Sequence, residues 1–143
     1  MQAQSRHLTS GAIAKSIERQ LACRSKVRPV STIVELQKLG VLSKHSYQVV
    51  DSKNYFRTRG RIKVFGFLVR DIFGFGPKRI FTAGPGTQPP PLIGVIVHGD
   101  VAKAKSKLSR ITSRNLAIEE ADNAIWKRPT SQKLTEIVCY EWL

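Results

Sequence analysis

A chain of 143 residues with 41% hydrophobic side chains is long enough for one domain with a real core, and too apolar for general disorder. Its 24 Lys and Arg against 10 Asp and Glu leave a formal charge of +14. Such an excess needs a partner or a tolerance for self-repulsion, and the common partners are polyanions: RNA, DNA or an acidic membrane surface. The longest apolar runs, such as PLIGVIV, fall far short of the ~20 residues of a membrane span, so no transmembrane span is expected.

Residues 1–30 carry Arg6, Lys15, Arg19, Arg24, Lys26 and Arg28 against one acid, Glu18. Ile13, Ile17 and Leu21 recur every four residues, so GAIAKSIERQLACRSK forms an amphipathic helix with Ser10 as its N-cap. Two readings fit this segment. One is a basic helix or arm packed on the rest of the chain. The other is an organelle-targeting presequence, which is also Arg-rich, Ser-rich, acid-poor and amphipathic. The expected division is therefore a basic arm over 1–30 and an α+β domain over 31–143. Pro29 disfavours a helical Arg28. A second, short helix is expected over TIVELQKLG, with Thr32 and Glu35 at capping-box spacing and Gly40 as the stop.

Strand character begins near Tyr47. SYQVVDSKNYF and RIKVFGFLV are rich in aromatic and β-branched residues. RTRG between them reads as a turn that breaks one long stripe into two strands and gathers Arg57, Arg59, Arg61 and Lys63 near its tip. Residues 53–79 hold eight cations (Lys53, Arg57, Arg59, Arg61, Lys63, Arg70, Lys78, Arg79) and one acid, Asp71. The arginine fork matches phosphate with two parallel hydrogen bonds. Aromatics among the cations, Tyr55, Phe56 or Phe65, offer faces for unpaired bases, against the plainer reading that they are core.

A short strand is expected at KRIFTA, an extended loop at GPGTQPPP, and a buried strand at LIGVIVHG. QPPPLIG resembles the proline-rich motifs that small domains recognise, including budding motifs of viral matrix proteins, but it lacks the tyrosine of the usual form. Asp100 then caps DVAKAKSKLSRITSR, where Val101, Ala104, Leu108 and Ile111 make an apolar stripe. Lys103, Lys107, Arg110 and Arg114 make a basic one, with no acidic residue between Val101 and Leu116 to neutralise it. LAIEEADNAIW fits helix or strand; LTEIVCYEWL alternates as a closing strand. Helices and strands mix without a regular βαβ period. The expected fold is thus α+β: a single small domain with a mixed or antiparallel sheet and flanking amphipathic helices.

Chemistry-bearing patterns are sparse. GFGPKRIF lacks the spacing of a phosphate-cradling loop and reads as a turn. His98 and Asp100 stand two apart at a strand end without a nucleophile or second carboxylate, and helix capping accounts for Asp100. Cys23 and Cys139 form no metal pattern and imply no disulfide framework, so a reducing compartment is the default. Neither catalysis nor a cofactor or metal is expected.

The leading expectation is a structural RNA-binding protein. Its candidate contacts are Lys53, Tyr55, Arg57, Arg59, Arg61, Lys63, Lys78, Arg79, Lys103, Lys107, Arg110 and Arg114. Small, very basic α+β domains with arms resemble ribosomal proteins in general, which implies RNA and neighbouring proteins of a large assembly as partners, in a cytoplasmic or mitochondrial ribonucleoprotein. YQVVDSKNYFRTRGRIKVFGF is similar to a strand-and-hairpin pattern of the small ribosomal subunit, but its spacing differs and the rest of the chain does not follow, so no family is assigned. The alternatives are a viral matrix-type protein bridging acidic membrane and nucleocapsid, and a subunit of a larger organellar complex.

Overall fold

The computed structural model describes residues 10–24, 26–78, 80–85, 88–121, 125 and 133–141. In chain order they form α1 (Ser10–Leu21), α2 (Pro29–Lys38), β1 (Gln48–Val50), β2 (Lys53–Arg57), β3 (Lys63–Val64), β4 (Phe67–Phe75), β5 (Leu92–His98), α3 (Val101–Lys107), β6 (Leu116–Glu120) and β7 (Leu134–Tyr140). The expected α+β domain is what forms. The sheet runs β1-β2-β4-β5-β7-β6, and every pairing in it is antiparallel.

β2 and β3 do not form a hairpin with each other. Both pair with β4: Asn54–Arg57 lie against Asp71–Gly74, and Lys63–Val64 against Phe67–Leu68. They are one interrupted strand laid along one edge of β4. The hairpin turn is not RTRG but Phe65-Gly66. The 58–62 interruption is held where Thr58 bridges Leu42, Arg59 N–H donates to the Val41 carbonyl, and Val69 N–H donates to the Ile62 carbonyl.

The central strands are buried on both sides: every residue from Leu92 to Val97 and from Leu134 to Cys139 is enclosed, Thr135 and Glu136 being the polar ones. On one face Phe56, Ile72, Val95 and Ile137 share cross-strand register, and Ile13, Ile17, Leu21, Ile33 and Leu36 of the helices belong to the same core. The stripe predicted for α1 is thus buried, and α1 packs on β3, β5 and β7. α2 starts four residues earlier than its capping-box reading, with Arg28 and not Thr32 at the N-cap, Pro29 in its first turn and no side-chain cap. Thr32 is instead buried, accepting from Gln20 Nε2 at 2.6 Å. Gly40 does stop the helix: Gly40 N–H donates to the Gln37 carbonyl and Val41 N–H to the Leu36 carbonyl, the paired bonds of a Schellman end.

α3 is capped by Asp100, which accepts from Lys103 N–H at 2.8 Å, but it ends at Lys107. The β-branched and hydroxyl residues of SRITS favour the tighter turns that follow, where Ser109 N–H reaches Ser106 and Ile111 N–H reaches Leu108. The described residues of KRIFTA form no strand either. They turn so that Phe81 is buried against Phe56 and Phe75, and Asn54 Oδ1 accepts from Thr82 N–H. LAIEE resolves as strand β6.

The opposite face carries Lys53, Tyr55, Asp71, Phe73, Gly94 and Glu136. In a flat sheet at ~4.8 Å per strand, β2 and β7 would stand about 14 Å apart. Yet Lys53 Nζ meets Glu136 Oε2 at 2.9 Å and Tyr55 Oη donates to Oε1 at 3.3 Å, so the sheet curls over this face. Gly94 permits the curl, because a Cβ there would come within 2.2 Å of the Phe73 ring, and Tyr55 packs on that ring at 4.9 Å between centroids. Cys23, just after α1, is disulfide-bonded to Cys139 of β7, with Cα atoms 5.7 Å apart. This corrects the expectation of free thiols, and the reducing-compartment default loses its ground.

Candidate nucleic-acid interface

The turn Phe65-Gly66 has positive φ at both residues, +51° and +82°, as a two-residue I′ hairpin requires. Glu18 of α1 fixes it by accepting Phe65 N–H at 2.7 Å. The turn also reaches α3, since a Cβ on Gly66 would lie 4.0 Å from Lys107 Cε, and Phe67 rests on the Gly99 backbone just ahead of that helix. The tip therefore wedges between the end of α1 and α3.

Two grooves flank this wedge. One, of about 450 Å³, is lined by Lys15, Glu18, Arg19, Ala22, Arg24, Phe65 and Ile111. The other, of about 470 Å³, is lined by Phe67, Lys103, Ser106, Lys107, Ser109 and Arg110. Lys15, Arg19, Arg24, Lys103, Lys107 and Arg110 thus surround one hairpin tip. Among the described residues the ion pairs are Lys26–Glu141, Lys53–Glu136 and Arg57–Asp71, and none involves these six. Glu18, the acid among them, is committed to the turn.

The sequence-derived candidates separate into groups. Lys103, Lys107 and Arg110 are exposed and share a groove, although Arg110 stands beyond the helix and not in its stripe. Arg114 is exposed in the turn before β6 and lines neither groove. Arg59 and Arg61 are exposed in the 58–62 interruption, and Lys63 is exposed on β3. Arg57 is half exposed, with its Nε 3.8 Å from Asp71. Lys78 is exposed in the connection after β4. Arg79 lies outside the described residues. Lys53 and Tyr55 are corrections: the lysine is held by Glu136, and the tyrosine ring, 1% exposed, has no face open to a base. Phe56 is enclosed in the same way. Phe65 remains half buried at the tip. Lys15, Arg19 and Arg24 are visible in the sequence as basic residues, but only the packing of α1 beside the β3–β4 turn brings them to α3.

A second polar cluster sits across the sheet. Asp71 is fully buried, and Tyr47 Oη donates to its Oδ2. Burial raises the Asp71 pKa above its ordinary 3.8, against the opposing pull of the Tyr47 bond, Arg70 and Arg57. His98 is lowered by burial and by the same two guanidinium groups. For Lys53, burial pushes the pKa down, but Glu136 and Tyr140 outweigh it and leave the pKa above 10.5. Among the described residues no three His, Cys, Asp or Glu side chains are grouped to hold a metal, and no helix is long and apolar enough to cross a membrane. Comparison with protein families, curated proteins and solved structures finds no match to this chain.

Proposed function

We propose that this protein is a non-catalytic, RNA-binding component of a ribonucleoprotein assembly, of ribosomal type, gripping the phosphate backbone with the surface around the β3–β4 turn. One observation carries the reading: six cations from α1, the residues after it, and the α3 region surround one tip without an ion pair among the described residues. Phosphates supply the missing counter-charge, and arginine and lysine there position RNA without reading its sequence. Arg59, Arg61 and Lys63 extend the positive surface along the interrupted strand. Remaining faces are left for neighbouring proteins.

A salt series on structured RNA, run beside acidic vesicles, tests this. Lys103→Ala/Lys107→Ala/Arg110→Ala is expected to reduce the slope of log K against log salt by about 0.7–0.9 for each phosphate that is no longer neutralised. An unchanged slope would remove the groove from the interface. Vesicle binding, with RNA binding abolished near physiological salt, would transfer the surface to a membrane and favour the matrix-type alternative.

A further inference from the structure

Phe65 stands where local preference argues against a phenylalanine. It holds the first central position of an I′ turn at φ +51°, a region that asparagine and glycine enter readily and bulky side chains avoid. Asparagine followed by Gly66 would close the same hairpin without strain. The surrounding fold nonetheless enforces the conformation through the Glu18 carboxylate. The ring packs in part against the core and lines the groove with Ala22, Ile111, Lys15, Arg19, Arg24 and Glu18, whose carboxylate is bound to the turn amide. Backbone strain that a neighbouring element holds in place, and that presents a side chain to an open groove, marks a working position.

An aromatic surface bordered by three cations matches the two halves of a nucleotide: a flat base for the ring and phosphates for the cations. A base within a duplex is already stacked and cannot enter. We infer that this groove is a subsite for an unpaired nucleotide of RNA, its base stacked on Phe65 and its flanking phosphates held by Lys15, Arg19 and Arg24. The inference rests on the backbone-gripping function proposed above and adds that the RNA is single-stranded at this point.

The test uses the full chain with labelled oligouridine, an abasic oligomer of the same length, and acidic vesicles. Phe65→Asn is expected to remain folded, because the Asn-Gly turn it creates offsets the core packing the ring gives up. It is expected to lose about fivefold to a hundredfold in affinity for oligouridine while binding the abasic oligomer as the parent does. Phe65→Tyr retains affinity; Phe65→Leu, apolar but without an aromatic face, falls with the asparagine variant. If Phe65→Asn binds oligouridine like the parent while the Lys103/Lys107/Arg110 variant has a reduced salt dependence, stacking is wrong and the backbone grip stands. If the parent binds vesicles through Phe65 and no RNA, both readings fall.

Discussion

Glu136→Leu is expected to destabilise the protein by ~3 kcal/mol, within the range for breaking a buried ion pair by removing one partner. The Glu136 side chain is 5% exposed and that of Lys53 18%. The substitution strands an ammonium above the Phe73 ring, 5.8 Å from its centroid, and removes an acceptor of the Tyr55 hydroxyl. Tyr140 still faces the ammonium and some water reaches it, which places the cost at the lower end of the ~3–5 kcal/mol range. Lys53→Met/Glu136→Leu, with no charge left to desolvate, should return to within ~1 kcal/mol of the parent. Urea unfolding at neutral pH, with the m-value unchanged, measures both. A single-variant cost below ~1 kcal/mol, or a double-variant cost equal to the sum of the two singles, would refute the reasoning. Both variants should keep the parental salt slope for RNA; a reduced slope would return Lys53 to the interface.

Gly94→Ala drives a methyl group into the Phe73 ring and should cost ~1–3 kcal/mol or more in thermal or urea unfolding, with Phe73→Leu recovering part of it. Asp71 binds its proton more tightly folded than unfolded, so stability should fall as pH rises from about 3.8 through the raised folded pKa; Asp71→Asn should flatten that dependence in urea titrations across the acid range. Lys53 gives the alkaline counterpart: its contribution is complete below 10.5 and disappears as pH rises through the higher folded value, a dependence that Lys53→Met should abolish. Reducing Cys23–Cys139 should cost the oxidised protein ~2–4 kcal/mol, read as a lower urea midpoint with dithiothreitol, and leave a Cys23→Ser/Cys139→Ser variant unmoved.

Local chemistry is readable wherever one element decides it. The Ile13/Ile17/Leu21 stripe, the Asp100 cap, the Gly40 stop and the LIGVIV strand all follow from periodicity and turn propensity within a few residues. Sequence and structure part where distant segments decide. Thr32 looks like a cap until Gln20 arrives beside it from α1. Phe81 looks like a strand residue until the Phe56 and Gly74 surface offers it a place. Phe65-Gly66 does not look like a turn, because phenylalanine is a poor left-handed residue, and Glu18, forty-seven positions away, holds it there. Lys53 and Tyr55 carry the right residue types for RNA, but sheet curvature points them at Glu136. Two cysteines at a separation of 116 residues give no spacing signal at all. The basic surface is half legible for the same reason: α3 announces its charge, and only the topology adds that of α1.

The bond between Cys23 and Cys139 also has a mechanical meaning. A pull applied outside these two positions is carried by the covalent link, and the 116-residue loop between them is shielded from tension. At ~3.5 Å per extended residue, reduction would release roughly 400 Å of chain that the oxidised protein cannot extend. Within an assembly that strains its components, the curled sheet and Phe65 would stay unloaded while α1, with Lys15 and Arg19, took the pull and passed it directly into β7.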